Sequence, residues 1–136
     1  MVTVATPESV QPILAPQVME MMTEPLPETR EGTLSSKATA RVLKLLDGKG
    51  VLTLGPGLST AAETQSFIRE MVAGTRIPLI LDADGLNAFS QSPELLSGKD
   101  RPLILTPHPG EMARLLGISS TEVQKNRIAV CQKFSI

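Results

Sequence analysis

The sequence has few aromatic residues and single copies of two residue types that often build catalytic or metal sites. Its 136 residues include no Trp, no Tyr, three Phe, one Cys and one His. The shortage of aromatic rings removes the stacking platforms on which single-stranded nucleic acids bind. Cys131 has no partner for an internal disulfide, so nothing points to secretion. No second histidine is present to build a histidine-based metal triad.

The chain also lacks a strong charge of either sign and a long hydrophobic run. Its 13 basic and 14 acidic residues give no electrostatic footprint for nucleic acid. No apolar stretch approaches the roughly 18 residues of a membrane span, and the segment after Met1 does not have the pattern of a signal peptide. We therefore expect a cytoplasmic protein whose partner is a small molecule, with no nucleic acid and no membrane among its partners.

Three apolar runs each stop in small, turn-forming or charged residues and are followed by a helical pattern. They are Val51–Leu54, Pro78–Leu81 and Pro102–Leu105. Each run is apolar on both faces, which is typical of a parallel strand covered by helices on either side. The pattern predicts an α/β fold with a mainly parallel sheet and helices on both faces. Ligands of such sheets bind beyond the carboxyl ends of the strands, where the unusual residues of this chain gather.

The first 32 residues predict two further strands and one helix. Val2–Ala5 is predicted as a strand, and Thr6–Glu8 as the start of a helix that Pro12 limits. Met19–Thr23 is predicted as a second short strand and Pro25–Gly32 as a loop.

The remaining chain predicts five helices from apolar periodicity and capping residues. Two of them, beginning at Thr60 and Ser119, carry the pattern of a capping box. The predicted ranges are Ser36–Asp47, Thr60–Gly74, Ser92–Gly98, Pro109–Gly117 and Ser119 to the chain end.

The chain begins within a predicted strand and stops at Ile136, where a helix should lead to another strand. We expect residues 1–136 to be a partial domain that lacks its N-terminal edge and its C-terminal part. An incomplete sheet has an exposed edge, which argues against a stable monomer of this chain. A homo-oligomer is expected for the full-length form.

The loop Gly55–Ser59 joins a strand to a helix N-terminus. Glycines at Gly55 and Gly57 allow a ligand to approach the backbone, and exposed N–H groups favour an anion or polar group. Taken alone, a tight turn with Ser59 or Thr60 as a helix cap explains the loop better, because the lysine of a phosphate-binding P-loop is absent.

Asp82, Asp84 and Asn87 follow the second apolar run. A carboxylate at this place can hold a hydroxyl, a sugar or a hydrated metal ion. Alternatively, Asp84 caps a short helix near Gly85 and Asp82 satisfies N–H groups of the loop. We assign Asp84 to the cap and leave both interpretations open for Asp82.

His108 stands between Pro107 and Pro109, which stiffen its loop after the third run. Fixed orientation suits a ligand contact better than catalysis by a mobile side chain. Glu111 can tune a bound ion, or it can simply be an acidic residue in the first helical turn, which the helix dipole stabilises. For Glu111 alone the second interpretation is favoured.

Together, Leu54–Leu58, Leu81–Asn87 and Leu105–Met112 resemble the ADP-dependent NAD(P)H-hydrate dehydratases, a branch of the ribokinase-like superfamily. Their order, spacing and strand-end placement agree with that family, as do Val2–Glu8 and Asn126-Arg127. The resemblance covers nearly the whole chain and implies a ribokinase-like fold.

Members of that family repair nicotinamide cofactors whose reduced ring has added water. The resemblance implies that ADP, or ATP in some branches, phosphorylates the ring hydroxyl, and that phosphate then leaves. It implies hydrated NADH or NADPH as substrate, bound by Gly57 and His108, with Gly55, Asp82 and Asn87 as weaker candidates. Glu111 matches an acidic residue that tunes Mg²⁺ through water in related kinases.

The chain also departs from the family pattern. Ser59 stands where the family loop usually has another glycine, a change that a helix cap would tolerate. No Gly-x-Gly-Asp loop follows Phe134, so the family's catalytic acid has no counterpart, and a lysine-glycine segment for the nucleotide is also absent. The chain is therefore expected to supply the substrate-binding part and to be inactive alone.

Two other functions remain open from the sequence. One is a kinase of the same superfamily that acts on a small vitamin precursor. The other is a non-catalytic remnant that binds nucleotide or pairs with a partner chain through its sheet edge.

Overall fold

Five short strands form two parallel sheets in residues 1–135, the part of the chain that the computed structural model describes. The first sheet contains two strands, and the second has the order β3-β4-β5. Their bounds are β1 Thr3–Pro7, β2 Met22–Leu26, β3 Leu52–Leu54, β4 Leu79–Leu81 and β5 Leu103–Leu105. All three strand pairs are parallel, so the predicted α/β fold with parallel strands is confirmed.

Seven α-helices connect or follow the strands in these residues. Single 3₁₀ turns at Ala15–Gln17, Ser36–Ala38 and Pro93–Leu95 supplement them. The helices are α1 Gln11–Leu14, α2 Thr39–Leu45, α3 Ala62–Gly74, α4 Asp84–Asn87, α5 Pro109–Leu116, α6 Ser120–Lys125 and α7 Arg127–Phe134. None of the described helices is long and apolar enough to cross a membrane.

The main core lies between the three-stranded sheet and its helices. Leu79 and Leu81 point to the same face of the central strand β4 and have no exposed surface, while Ile80 on the other face is half-buried. Helix α3 contributes its buried stripe of Phe67, Ile68 and Met71. This burial explains the continuous apolar run of β4. For β3 and β5 the prediction of cover on both faces is wrong within the described residues, since Thr53 is exposed and Ile104 is 54% exposed.

The N-terminal predictions require correction. Thr6 and Pro7 continue β1 instead of starting a helix, because they pair with Pro25 and Leu26 of β2. Helix α1 starts later, and Pro12 lies in its first turn, where a missing N–H costs no helical hydrogen bond. Strand β2 begins three residues after the predicted Met19, since its register with β1 buries Leu26.

One predicted helix cap and one predicted continuous helix are wrong. Ala61 precedes α3 without a side-chain cap, so Thr60 is not the cap, and the Glu63 carboxylate instead accepts a hydrogen bond from the Ser35 hydroxyl. The predicted last helix is broken into α6 and α7 at Asn126, whose φ of −133° is not helical. The cap at Ser119 is confirmed by a 3.1 Å hydrogen bond from the Glu122 N–H to its hydroxyl, but within residues 1–135 the reciprocal bond of the predicted capping box is absent.

Candidate active site at the carboxyl ends of the strands

The carboxyl ends of β3, β4 and β5 bring three loops together, which we call the carboxyl edge: Gly55–Ser59, Asp82–Asn87 and Thr106–Glu111. Backbone hydrogen bonds continue past the strands into these loops. The Asp82 N–H donates to the Leu54 carbonyl at 3.1 Å, and the Thr106 N–H donates to the Leu81 carbonyl at 3.3 Å. The predicted convergence of the three motifs at one edge of the sheet is therefore present.

Gly55 and Gly85 let two of these loops meet backbone against backbone. A Cβ at Gly55 would lie 1.8 Å from the Asp82 carbonyl oxygen, and Gly55 also has a φ of +139°. A Cβ at Gly85 would lie 2.8 Å from the Leu54 carbonyl oxygen. Both positions therefore require glycine for close approach, a structural role that is enough to explain Gly55.

Gly57 differs from Gly55 in its surroundings. It is exposed, its φ is +73°, and a Cβ there would have no neighbour within 4 Å. The backbone at Gly57 is thus open for a ligand to approach.

Asp84 does not cap α4. Residue Ala83 precedes that helix without a side-chain cap, and its φ is +48°. The Asp84 carboxylate instead accepts a 2.9 Å hydrogen bond from the Ser59 N–H, in the loop after β3. The prediction of a helix cap was wrong because the stronger partner is 25 residues away in the sequence.

Asn87 continues the contact from Asp84 toward α5. Its amide nitrogen donates to the Asp84 carboxylate at 3.1 Å, and its amide oxygen accepts from Arg114 Nε at 3.1 Å. Ser59, Asp84, Asn87 and Arg114 therefore form a hydrogen-bonded chain across the carboxyl edge, which we call the loop-to-helix network. Ser59 as a binding partner of Asp84, and Arg114 altogether, were missed from the sequence.

Asp82 takes part in the loop through its backbone. Its carbonyl oxygen accepts from the Gly85 N–H at 2.8 Å, and the residue is half-buried. The hydrogen bonds to loop N–H groups are thus made by its main chain, and its carboxylate role stays a prediction.

His108 and Glu111 hold each other at the start of α5. Glu111 accepts from the His108 N–H at 2.8 Å, and its second carboxylate oxygen lies 3.1 Å from His108 Nε2. His108 Nδ1 accepts from the Gly110 N–H at 3.0 Å, which places the imidazole proton on Nε2. The Glu111 side chain is 8% exposed, whereas that of His108 is 61% exposed. A buried carboxylate therefore orients an exposed imidazole.

These residues do not form a direct metal site. No group of three His, Cys, Asp or Glu side chains suited to a metal ion exists among residues 1–135. Both carboxylate oxygens of Glu111 face His108, so they are not arranged to bind an ion directly.

A groove of about 840 Å³ lies beside β5 and does not include Gly57 or His108. Its walls are formed by residues of β5, α5 and α7, among them Leu105, Met112 and Phe134. The groove therefore borders the carboxyl edge through Thr106 and Pro107 but does not extend to Gly57 or His108.

Curated relatives match almost the whole chain. A protein of Moorella thermoacetica named bifunctional NAD(P)H-hydrate repair enzyme Nnr is 43% identical over 99% of this chain, which corresponds to 26% of that protein. A protein of the same name from Thermofilum pendens is 37% identical over 91% of this chain and 24% of its own length. The chain thus spans about a quarter of the length of these relatives.

Solved structures show the same fold. A ribokinase-like superfamily protein from Enterococcus faecalis superimposes with a TM-score of 0.72 at 22% identity, over 97% of this chain and 42% of that protein. A Streptococcus mutans protein gives a TM-score of 0.74 at 22% identity, over 98% and 44% of the two chains. The fold is therefore ribokinase-like.

The family model described as NAD(P)H-hydrate dehydratase matches residues 1–136. Because that match covers the full sequence and agrees with the curated relatives, the chain belongs to the NAD(P)H-hydrate dehydratase family.

Proposed function

We propose that this chain is the substrate-binding part of an ADP-dependent NAD(P)H-hydrate dehydratase. The observation that supports it most directly is the exposed His108 imidazole, which Glu111 holds at the same edge as the open backbone of Gly57. A pre-oriented ring and an accessible backbone are features of a small-molecule site. The substrate is hydrated NADH or NADPH, as the family implies.

The proposed reaction converts a poor leaving group into a good one. The terminal phosphoryl group of ADP, or of ATP, passes to the ring hydroxyl oxygen, AMP or ADP leaves, and the hydroxyl proton passes to a base that this chain does not supply. The carbon–oxygen bond then breaks, inorganic phosphate leaves with the bonding electrons, and a proton is lost from the neighbouring ring carbon. The double bond of the reduced nicotinamide is thereby restored.

Individual residues have distinct roles in this proposal. Both ring nitrogens of His108 are engaged within the protein, so the imidazole contacts the hydrated ring through its exposed face. Gly57 leaves its backbone accessible to the substrate, and Gly55 allows the close backbone contact that positions the loop. Asp82 and the second N–H of the Asn87 amide are the polar groups that can reach substrate hydroxyls.

The chemical step needs groups that this chain does not supply. The Gly-x-Gly-Asp loop of the family has no counterpart in the 136 residues, so we propose that this chain alone does not catalyse dehydration. The nucleotide would bring Mg²⁺ with its phosphates, and Glu111 could meet that ion only through water. A cytoplasmic homo-oligomer remains our proposal for the full-length form.

Calorimetric titration of the chain with hydrated NADPH tests this function, with ADP in a parallel titration. We expect hydrated NADPH to bind, and His108→Ala to weaken its affinity by about tenfold, the effect of losing about 1.4 kcal/mol of contact. Gly57→Ala should weaken it similarly because a methyl group enters the open backbone surface.

Gly32→Ala is a matched control for Gly57→Ala. Both glycines have a φ of +73° and no neighbour within 4 Å of a Cβ, but Gly32 lies in the loop after β2. Equal losses of affinity in the two variants, or no binding by the unmodified chain, would contradict the proposed function. Transfer of phosphate to a vitamin precursor instead would indicate a kinase.

A further inference from the structure

Two neighbouring loops at the carboxyl edge contain unfavourable backbone conformations. Among residues 1–135, Ser59 with a φ of +86° and Ala83 with a φ of +48° are the non-glycine residues with positive φ. Such conformations persist only where surrounding contacts hold them, and they concentrate at functional sites. Some contact in this protein must therefore hold Ser59 in place.

The Asp84 carboxylate makes that contact. It immediately follows Ala83 and accepts a 2.9 Å hydrogen bond from the N–H of Ser59 itself. One side chain thus links both residues of positive φ. A carboxylate is a strong acceptor for a backbone N–H, so this bond is well suited to hold a strained turn.

Asp84 also connects this turn to α5 through the loop-to-helix network. Arg114 donates to Asn87 at 3.1 Å, and Asn87 donates to Asp84 at 3.1 Å. Arg114 lies one turn after Glu111, the residue that orients His108. The network therefore joins the Gly57 loop to the helix that carries His108.

We infer that Asp84 is a positioning residue that sets the Gly57 loop against the His108 helix through Asn87 and Arg114. This inference rests on the proposed function for its effect on binding, but the network itself can be tested without any ligand. Asp84 acts through other residues and does not contact the substrate.

The pattern of donors and acceptors predicts which substitutions the network tolerates. The carboxylate at position 84 accepts from two donors of the network. An asparagine there has a single acceptor oxygen, so one hydrogen bond is lost in either orientation of the amides at positions 84 and 87. Exchanging the two side chains, Asp84→Asn with Asn87→Asp, restores every link. The new amide at 84 would accept from Ser59 and donate to the carboxylate at 87, which would accept from Arg114.

Calorimetric titration with hydrated NADPH measures the effect on the site. We expect Asp84→Asn to weaken affinity by about tenfold, as for loss of one hydrogen bond to a charged group. The double exchange is judged by amide hydrogen exchange instead of affinity, because Asn87 is itself a proposed substrate contact. Asp47→Asn, at an exposed position outside the network, should change nothing.

A core variant separates positioning from loss of stability. Ile68→Val removes one methylene group from a fully buried side chain and leaves the network untouched. If affinity simply followed melting temperature across Ile68→Val and Asp84→Asn, the role would be structural and the inference would be overturned. We expect Ile68→Val to lower the melting temperature without weakening affinity.

Amide hydrogen exchange at Ser59 gives the readout that needs no ligand. We expect Asp84→Ala to speed exchange of this amide by about tenfold or more, and the double exchange to restore its protection. Unchanged Ser59 exchange in Asp84→Ala would overturn the inference. If the unmodified chain gives no heat with hydrated NADPH while these exchange effects appear, the proposed function fails and the network stands.

Discussion

The two edges of the three-stranded sheet differ in the burial and hydrogen bonding of their polar groups. At the amino edge, the residues just before the strands, Arg101 is only 8% exposed and donates to the Val72 carbonyl at 2.6 Å. Arg101 Nε and the Thr75 hydroxyl are buried there without a hydrogen-bond partner among residues 1–135. At the carboxyl edge, polar side chains bond to each other across loops and His108 remains exposed.

The two edges thus differ in whether their polar groups are buried or exposed. Burial lowers the pKa of Arg101, and the positive charge of Arg76 lowers it further. The charged form of Arg101 is therefore less favourable at the amino edge than in water. The carboxyl edge instead contains the residues of positive φ and an oriented, exposed imidazole. Strain at this edge is held by side chains that also shape a surface open to ligands.

The largest expected effect comes from filling the close contact at the carboxyl edge. Gly55→Ala would drive a methyl group into the Asp82 carbonyl, where backbone cannot easily move. We expect a loss of about 3 kcal/mol or more in the free energy of unfolding, measured by urea denaturation. Gly48→Ala before β3 has a φ of +71° and no neighbour within 4 Å, so it should lose only about 1 kcal/mol. Similar losses in the two variants would show that the contact with Asp82 is not tight.

A smaller effect is expected from the buried cation of the amino edge. Arg101→Ala removes the donor to the Val72 carbonyl and leaves that oxygen buried, which should cost about 2 kcal/mol by thermal or urea unfolding. Arg76→Ala, at an exposed position before the same sheet, should stay within about 0.5 kcal/mol of the unmodified chain. If Arg101→Ala were as mild as Arg76→Ala, the amino edge would not depend on its buried arginine.

The smallest effect has the opposite sign. Ser59→Gly relieves a φ of +86° but loses the 3.2 Å hydrogen bond from the Ala61 N–H to the Ser59 hydroxyl. We expect a net gain of about 0.5 kcal/mol in the free energy of unfolding. Ser66→Gly, inside α3, should lose about 0.5 kcal/mol, since glycine is the poorer helix former there. A loss in both variants would mean that Ser59 is not strained.

Sequence patterns located the second sheet well and the first sheet poorly. The three apolar runs became β3, β4 and β5, each one residue shorter than predicted. These runs were recognisable as consecutive apolar residues that end in turn-forming residues, although burial on both faces explains only β4. Strands β1 and β2 were displaced because proline normally marks a turn, whereas here pairing places Pro7 and Pro25 within the sheet.

The candidate site, too, was predicted only in part. The structure orients His108 through hydrogen bonds with Gly110 and Glu111, and the stiffening by its flanking prolines stays a prediction. Asp84 was assigned to the nearest helix, since side-chain caps act within one turn. Its actual partner on Ser59 depends on how two loops pack, which residue types alone did not reveal.

The sequence by itself determined the features that depend on neighbouring residues. It predicted parallel strands, helix ends such as Gly74 and Gly117 and the dehydratase family. These follow from contacts within a few residues or from motifs read in order. The small-molecule site stays a prediction. Only the tertiary structure showed that the Asp82 carbonyl packs so closely against Gly55 that no side chain fits there. It also showed that Asp84 links Ser59 to α5, the helix that follows His108. Those contacts arise only when the sheet brings distant loops within hydrogen-bond distance.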